Sequence, residues 1–370
     1  MVLRQELRRW IAATICVATL SACKSSGNGA SDSNAVPPEV SATPDPSAPV
    51  LATDNCDQAK AHPVLKDRPD SAKFTLALCD DFLGDNLDTS KWSFNYNWGR
   101  SDLIIADLEK PSSRMHNFNS MFDEKLVVVS EGKVRLDSRN EPYPTARTKD
   151  ADGKETLKGM PAQFCKQLKK GVAADCTLAY TSSAITSRFR YAYGYIEGRI
   201  RMPGTHGFWP AFWMLHKGWP PEIDILELLT NVAPDGKFAY SLSSGYHYTK
   251  DKKHNSLYKD LKAADWTKLG LCKNPAGGCG VDLATDYHVW GMEWTPKKLR
   301  YYIDGQFVQE FNQEAFITAE PGYLLLNLGI GGWAENPDKR TDWSKGHMDI
   351  DWVRIWEMPG VKTTLVLPKP

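Results

Sequence analysis

The chain has 370 residues, with 45 basic and 45 acidic side chains, so its formal net charge is zero and nothing in it recommends nucleic acid as a partner. Hydrophobic residues make up 42 % of it, enough for a sizeable core. The one early apolar run, Ile11 to Leu20, is too short to span a bilayer as a mature helix, and no later segment is longer.

In chain order, residues 1–23 read as an export signal, with Arg4, Arg8 and Arg9 ahead of the apolar run. The run ends in Leu20-Ser21-Ala22-Cys23, which resembles the lipobox of bacterial lipoproteins. That resemblance implies a lipidated Cys23 at the bacterial cell envelope, on the outer membrane or cell surface, and membrane contact through the lipid alone. An ordinary signal peptide with a chance cysteine is the alternative. Residues 24–70 are rich in Ser, Ala and Pro, cannot bury enough apolar surface to fold, and read as a tether. Residues 71–360 are left as one large domain, expected to be monomeric, and 361–370 as a C-terminal tail.

Cys16 lies in the signal and Cys23 at the lipobox; Cys56, Cys79, Cys165, Cys176, Cys272 and Cys279 remain. Six cysteines in an exported chain suggest disulfides, and of the fifteen pairings the spacing suggests the local set 56–79, 165–176 and 272–279. A zinc site is the rival reading, but no CxxC or clustered His accompanies them.

Short alternating segments dominate the domain. In "YGYIEGRIRM" Ile196, Ile200 and Met202 share a face, while Glu197, Arg199 and Arg201 share the other. "YHVWGMEW" alternates in the same way, and its His288 reads as a satisfied core histidine. "LRYYIDGQFVQEF" carries Asp304-Gly305 between two strand-like runs, a strong hairpin signal. "YLLLNLGIGG" fits a strand buried on both faces, and helical periodicity is confined to a turn or two around "SLYKDLKAADW". An antiparallel sandwich is predicted. Two polar, lysine-rich stretches, 144–178 and 249–286, read as insertions that interrupt the strands.

"GWPPEIDILELLT", residues 218–230, sets three acids in an apolar strand. Glu222 and Asp224 are two apart and share a face, but Glu227 is out of phase by one residue. A β-bulge at about Ile225-Leu226 would restore the phase and bring all three acids to one side. Buried carboxylates are not kept for packing. Two of them facing one cleft, roughly 5–5.5 Å apart, suit a retaining glycosidase, and crowding raises the pKa of the acid. A calcium site or a polar strand edge is the bland reading of the same stretch.

Glu222-Ile223-Asp224-Ile225-Leu226-Glu227 resembles the bulged E-x-D-x-x-E strand of glycoside hydrolase family 16, the bacterial endo-β-glycanases of the laminarinase type. The blocks "DDFLGDNLDTSKW", "YGYIEGRIRMPGTHGFWPAFWML", "YHVWGMEWTPKKLRYYIDG", "YLLLNLGIGGW" and "MDIDWVRIWE" follow in the family's order, so the resemblance covers about 75–358. It implies a jelly-roll sandwich of two curved antiparallel sheets, of the concanavalin A-like kind, with the cleft on the concave face. It further implies Glu222 as nucleophile, Glu227 as acid/base and Asp224 as the residue that orients the nucleophile. Trp209, Trp213, Trp219, His247, Asn327 and Trp333 match substrate-binding positions, although each Trp could equally be core. No cofactor is implied for catalysis; a structural calcium is, through acids of the first and last strands, for which Asp80, Asp81, Asp349 and Asp351 are available.

The chain departs from the pattern where Pro220-Pro221 precede Glu222, so the strand must begin at about Glu222, after a stiff loop. The expected activity is retaining, endo-acting hydrolysis of a polysaccharide, a β-1,3- or mixed β-1,3/1,4-glucan. Lys166, Lys169, Lys170, Lys250, Lys252 and Lys253 would instead favour an anionic galactan if they border the cleft. A transglycosylase and a non-catalytic glycan-binding lipoprotein are the other readings.

Overall fold

The computed structural model describes residue 56 and residues 62–94, 96, 119–141, 147–149, 155–157, 179–232, 238–261, 263–271 and 283–368. The signal, Cys23, Cys165, Cys176, Cys272, Cys279, Lys166, Lys169 and Lys170 lie outside them. Cys56 and Cys79 are joined as a disulfide, their Cα atoms 6.2 Å apart. Among the described residues no helix is long and apolar enough to cross a membrane.

Two large antiparallel sheets form the body. One runs Lys253–Asp260, Phe238–Lys250, Gly218–Val232, Phe208–His216, Tyr323–Ile330, Ala184–Ser187, Trp92–Phe94. The other runs Gln306–Phe311, Leu299–Ile303, His288–Trp294, Gly194–Arg201, Met348–Glu357, Lys133–Leu136, Val127–Ser130, with Thr75–Asp80 also paired to Met348–Glu357. Alternation decides which side chains meet between them. Ile196, Ile200, Met202, Trp290, Met292 and Trp294 of the second sheet share one buried cluster with Phe212, Met214, Leu324, Leu326 and Leu328 of the first. The opposite face of the first sheet has its own cluster, in which Trp209, Ala211, Trp213 and Leu215 join Tyr323 and Leu325. Tyr323–Ile330 is therefore buried on both faces, as its unbroken apolar run predicts. The architecture is the jelly-roll sandwich. At the predicted hairpin, Asp304 and Gly305 both take positive φ, 48° and 70°, which matches the turn to the strand twist. His288 is satisfied, its Nδ1 lying 2.8 Å from Asp304 Oδ2.

Three expectations need correction. The tether ends before residue 70: Leu65 and Phe74 are buried with Tyr195, Tyr302, Trp356 and Met358 against the second sheet. Arg68 anchors this segment on the buried Glu293 at 2.6 Å, and Lys66 N–H bonds Gly305 O at 2.9 Å. At the other end, residues 361–370 are not merely a tail, because Thr364–Val366 pairs with Arg190–Ala192. The stretch 249–286 is not an insertion throughout: Lys253–Asp260 is the edge strand of the first sheet. The turn or two of helix expected around "SLYKDLKAADW" is present as Ala263–Lys268, after Ser256 to Asp260 are spent on that edge strand.

The acids named for calcium have partners within the protein. Asp80 accepts from Phe82 N–H at 2.9 Å and Trp92 Nε1–H at 2.8 Å, and Lys91 stands 3.8 Å away. Asp81 pairs with Arg354, Asp349 with Arg135 and Arg201, and Asp351 with Arg199. These carboxylates are held by cations and donors of the protein.

The segment ahead of the first strand is thus a working part of the second sheet. Phe74→Ala is expected to destabilise the fold by about 3–5 kcal/mol, the usual loss for a buried Phe. Urea denaturation checks this. A loss under about 1 kcal/mol would show that the segment is a loose cover.

Candidate active site

The out-of-phase acid is explained by the ladder. On one side Asp224 pairs with Gly245 and Glu227 with Ser243, so a three-residue step on the acidic strand faces a two-residue step on its neighbour. The extra residue lies at Ile225-Leu226, both of which turn into the core between the sheets. The bulge predicted there is present, and all three acids share the opposite face. A second irregularity lies between Gly218 and Glu222. The strand does not begin at about Glu222, as expected: it is continuous from Gly218, and only regular pairing waits for Glu222, because Pro220 and Pro221 have no N–H to give.

Five strands set the residues around the acids in three rows. Asn327, Ala211, Glu227, Ser243 and Asp260 are mutually in register, as are Leu325, Trp213, Asp224, Gly245 and Tyr258. The third row is Tyr323, Leu215, Glu222, His247 and Ser256. Adjacent strands lie about 4.8 Å apart, so the acids have immediate neighbours on both sides. A pocket opens over them, lined by Trp209, Ala211, Trp213, Glu222, Asp224, Glu227 and Asn327. Its wall is aromatic and its floor acidic, a suitable lining for the C–H faces and hydroxyls of a sugar.

Each acid is held. Trp209 Nε1–H donates to Glu227 Oε1 at 3.1 Å, and Ser243 Oγ–H to Oε2 at 3.4 Å. Tyr258 O–H donates to Asp224 Oδ2 at 2.9 Å. His247 Nε2 lies 3.5 Å from both Glu222 Oε1 and Asp224 Oδ2. Asn327 Oδ1 accepts from Trp213 Nε1–H at 2.8 Å, which leaves the buried Asn327 Nδ2 without a protein partner at the pocket wall. Trp333 does not line the pocket itself but stacks on Trp209, centroids 4.6 Å apart, and remains 36 % exposed. Trp219 sits beside His247 and His254, at 5.7 and 4.5 Å between ring centroids.

All of the residues proposed from sequence for chemistry and binding thus gather on one face. The sequence reading missed Tyr96, Ser243, Gly245, His254 and Tyr258. Tyr96 is fully buried edge-on to Trp213 at 5.9 Å. His254 and Tyr258 lie in the stretch read as a lysine-rich insertion. The period-two set His254, Ser256, Tyr258, Asp260 was the signal available there.

Burial, then the neighbouring Asp224 charge, pushes Glu222 well above the ordinary carboxylate range and Glu227 up to about 8. The pocket therefore retains a proton at neutral pH, as acid catalysis requires. Glu222, Asp224 and His247 each present one ligand-type atom within 4.8 Å of the others. These are the carboxylates a glycosidase needs free, and His247 is engaged with them.

The same tension has a sign in stability. Glu227 has an ordinary value of 4.5 and stands near 8 in the fold, so protonation favours the folded state. Below the ordinary value both states are protonated and no penalty applies. The penalty grows as pH rises and is complete above about 8. Glu227→Gln is therefore expected to melt higher than the wild type, by a margin that is small near pH 4.5 and widens to about pH 8. Melting curves across that range check it; a margin independent of pH would contradict the burial argument.

Comparison with known proteins agrees with this geometry. Residues 115–354, more than half of the chain, match the family model described as glycosyl hydrolases family 16. The chain is 29 % identical over 184 residues to endo-1,3-1,4-beta-glycanase ExsH of Rhizobium meliloti (strain 1021), covering 48 % of this chain and 34 % of that relative. It thus spans about a third of that longer protein. With the beta-glucanase of Rhodothermus marinus the identity is 26 % over 318 residues, covering 78 % of this chain and 88 % of the relative. The fold is shared with the catalytic domain of an endo-1,3-beta-glucanase (laminarinase) from Thermotoga petrophila RKU-1. There the TM-score is 0.51 at 23 % identity, over 77 % of this chain and 98 % of that one. With the family model spanning the acidic strand and most of both sheets around it, the chain belongs to glycosyl hydrolases family 16.

Proposed function

We propose that this pocket hydrolyses a β-1,3- or mixed β-1,3/1,4-glucan internally, with retention of configuration. The observation that carries the reading is the bulge, which turns three acids to one aromatic-walled face. The Glu222 carboxylate attacks the anomeric carbon while Glu227 gives its proton to the departing glycosidic oxygen, so that the C–O bond breaks as a glycosyl ester forms. Glu227, now ionised, takes a proton from water, whose oxygen attacks the same carbon and releases Glu222. Asp224 orients Glu222 and, through its charge, helps Glu227 to hold its proton. Asn327 Nδ2 offers a donor to a sugar hydroxyl.

A neutral glucan is favoured over an anionic galactan because no lysine among the described residues lines the pocket. Lys250 lies over the Phe316 ring at 5.6 Å, and Lys250, Lys252 and Lys253 sit at an exposed hairpin end. Of the two relatives described above, one is named an endo-1,3-1,4-beta-glycanase and the other a beta-glucanase. The sequence of residues 1–23 supports export and anchoring of the enzyme at the cell envelope through a lipid on Cys23.

Glu222→Gln and Glu227→Gln should each lower kcat by several orders of magnitude on laminarin or lichenan, and Asp224→Asn by less. Proton NMR at early times should show the β-anomer first, and azide should partly restore Glu222→Ala as an α-glycosyl azide. The α-anomer first would overturn the nucleophile assignment. Activity confined to sulfated galactans and falling with added salt would overturn the substrate. Products elongated by excess acceptor, with little hydrolysis, would mark a transglycosylase.

A Cys23→Ser chain should lose fatty-acid labelling and detergent-phase partitioning. Partitioning identical to the wild type would reject the anchor.

A further inference from the structure

Glu227 and Glu222 are each approached by donors from their own surroundings, but Asp224 is reached from two strands away. Asp224, Gly245 and Tyr258 lie in one row of the sheet. Tyr258 must therefore pass over the middle strand to place its hydroxyl 2.9 Å from Asp224 Oδ2. It can do so because Gly245 has no side chain: a Cβ there would stand 2.6 Å from the Tyr258 ring and 2.9 Å from Leu257 O. Beyond Tyr258 the contacts continue. The Tyr258 hydroxyl makes a short contact with His247 Nε2, and His247 Nδ1 lies 2.7 Å from His254 Nε2.

We propose that His254, His247, Tyr258 and Asp224 form one directed hydrogen-bond chain, in which His254 and Tyr258 are positioning residues that fix the His247 tautomer and hold the Asp224 carboxylate in place. This rests on the glycosidase reading of the site and adds to it the groups that set its proton.

Proton counting gives the direction. A phenol has one proton, and an ionised carboxylate has none to offer. If Tyr258 gives its proton to Asp224, its oxygen must accept from His247 Nε2–H. Neutral His247 has no second ring proton, so its Nδ1 is bare and accepts from His254 Nε2–H. The order is His254 N–H to His247, His247 N–H to Tyr258, Tyr258 O–H to Asp224, and no two acceptors face each other. The same His247 Nε2–H stands 3.5 Å from Glu222 Oε1. The titration tendencies agree: burial, then the adjacent His247, lowers His254 to about 4, so it stays neutral. Burial, then Asp224, raises Tyr258, so the phenol keeps its proton.

The consequence falls on the acid/base residue. The acids facing the chain are Glu222, Asp224 and Glu227, with Asp260 further along the edge strand. Among neighbouring charges, that of Asp224 comes first in raising Glu227. Once Tyr258 is cut from the chain, the Asp224 carboxylate is no longer held in place beside Glu227, and Glu227 releases its proton at lower pH.

The test separates donor from ring at position 254, where the side chain also lies against Trp219. His254→Phe keeps a ring and loses the donor; His254→Gln loses the ring and keeps a donor. On laminarin, His254→Phe should lower kcat by about tenfold, the effect of one lost buried hydrogen bond, with KM little changed. His254→Gln should recover most of that loss. Tyr258→Phe should move the alkaline limb of the kcat/KM profile to lower pH while melting close to the wild type.

Nitrogen-15 NMR of the wild-type His247 ring, which needs no substrate, should show a protonated Nε2 and a bare Nδ1. The opposite tautomer or an imidazolium would overturn the chain. So would His254→Phe matching the wild type, both position-254 variants falling alike, or an unmoved alkaline limb in Tyr258→Phe. Retained activity in Glu222→Gln or Glu227→Gln would sink the glycosidase reading and leave the tautomer result standing.

Discussion

The site depends on one extra residue. A strand shows alternate faces at each step, so an acidic set spaced at two and three residues cannot share a face unless the ladder slips by one. The bulge between Asp224 and Glu227 is that slip, and it is fixed from the other side. Ile225 and Leu226 both enter the core between the sheets, where each is nearly or fully excluded from water. Flattening the bulge would expose one of these side chains and drive a carboxylate among Leu and Phe. The hydrophobic effect and the penalty on buried charge therefore act together to hold a geometry that neither would need for packing alone.

The strands around the bulge are chosen to leave room. Ala211 and Ser243 flank Glu227, and Gly245 lies beside Asp224, so small side chains stand where two long ones would collide. The bulkier groups are displaced along the strands: Trp209 reaches back to Glu227, and Tyr258 crosses above Gly245 to Asp224. Donors thus arrive at the acids from aromatic rings, which also exclude water. This arrangement raises the carboxyl pKa values and works against stability above neutral pH. The compensation lies elsewhere, in a continuous core between the sheets and in the Leu65–Phe74 segment that covers the second sheet.

That segment and the edge strand Lys253–Asp260 show where local reading fails. Proline and serine ahead of residue 62 look like a tether, and composition gives no warning that Leu65 and Phe74 will find Tyr195, Tyr302 and Trp356 far along the chain. Likewise Lys250, Lys252 and Lys253 make their surroundings look like a solvated insertion. They cluster at a hairpin end, and the alternating residues that follow belong to the cleft sheet. An edge strand has one partner and one free side, so it tolerates charge that a central strand would not, and its sequence looks like a loop.

What the sequence determined by itself was the alternation of the strands, the Asp304-Gly305 turn and the acidic spacing that demanded a bulge. Each of these is a local property, readable from residue type and period because the side-chain faces of a strand follow from its backbone geometry alone. The resemblance to family 16 then supplied roles for Glu222, Asp224 and Glu227. Tertiary structure decided what distant strands bring together: Arg68 on Glu293, cations on Asp80, Asp81, Asp349 and Asp351, and Tyr258 on Asp224. Such pairs are set by the register of strands that need not adjoin in the chain, and only the folded sheet fixes which residues of a row stand side by side.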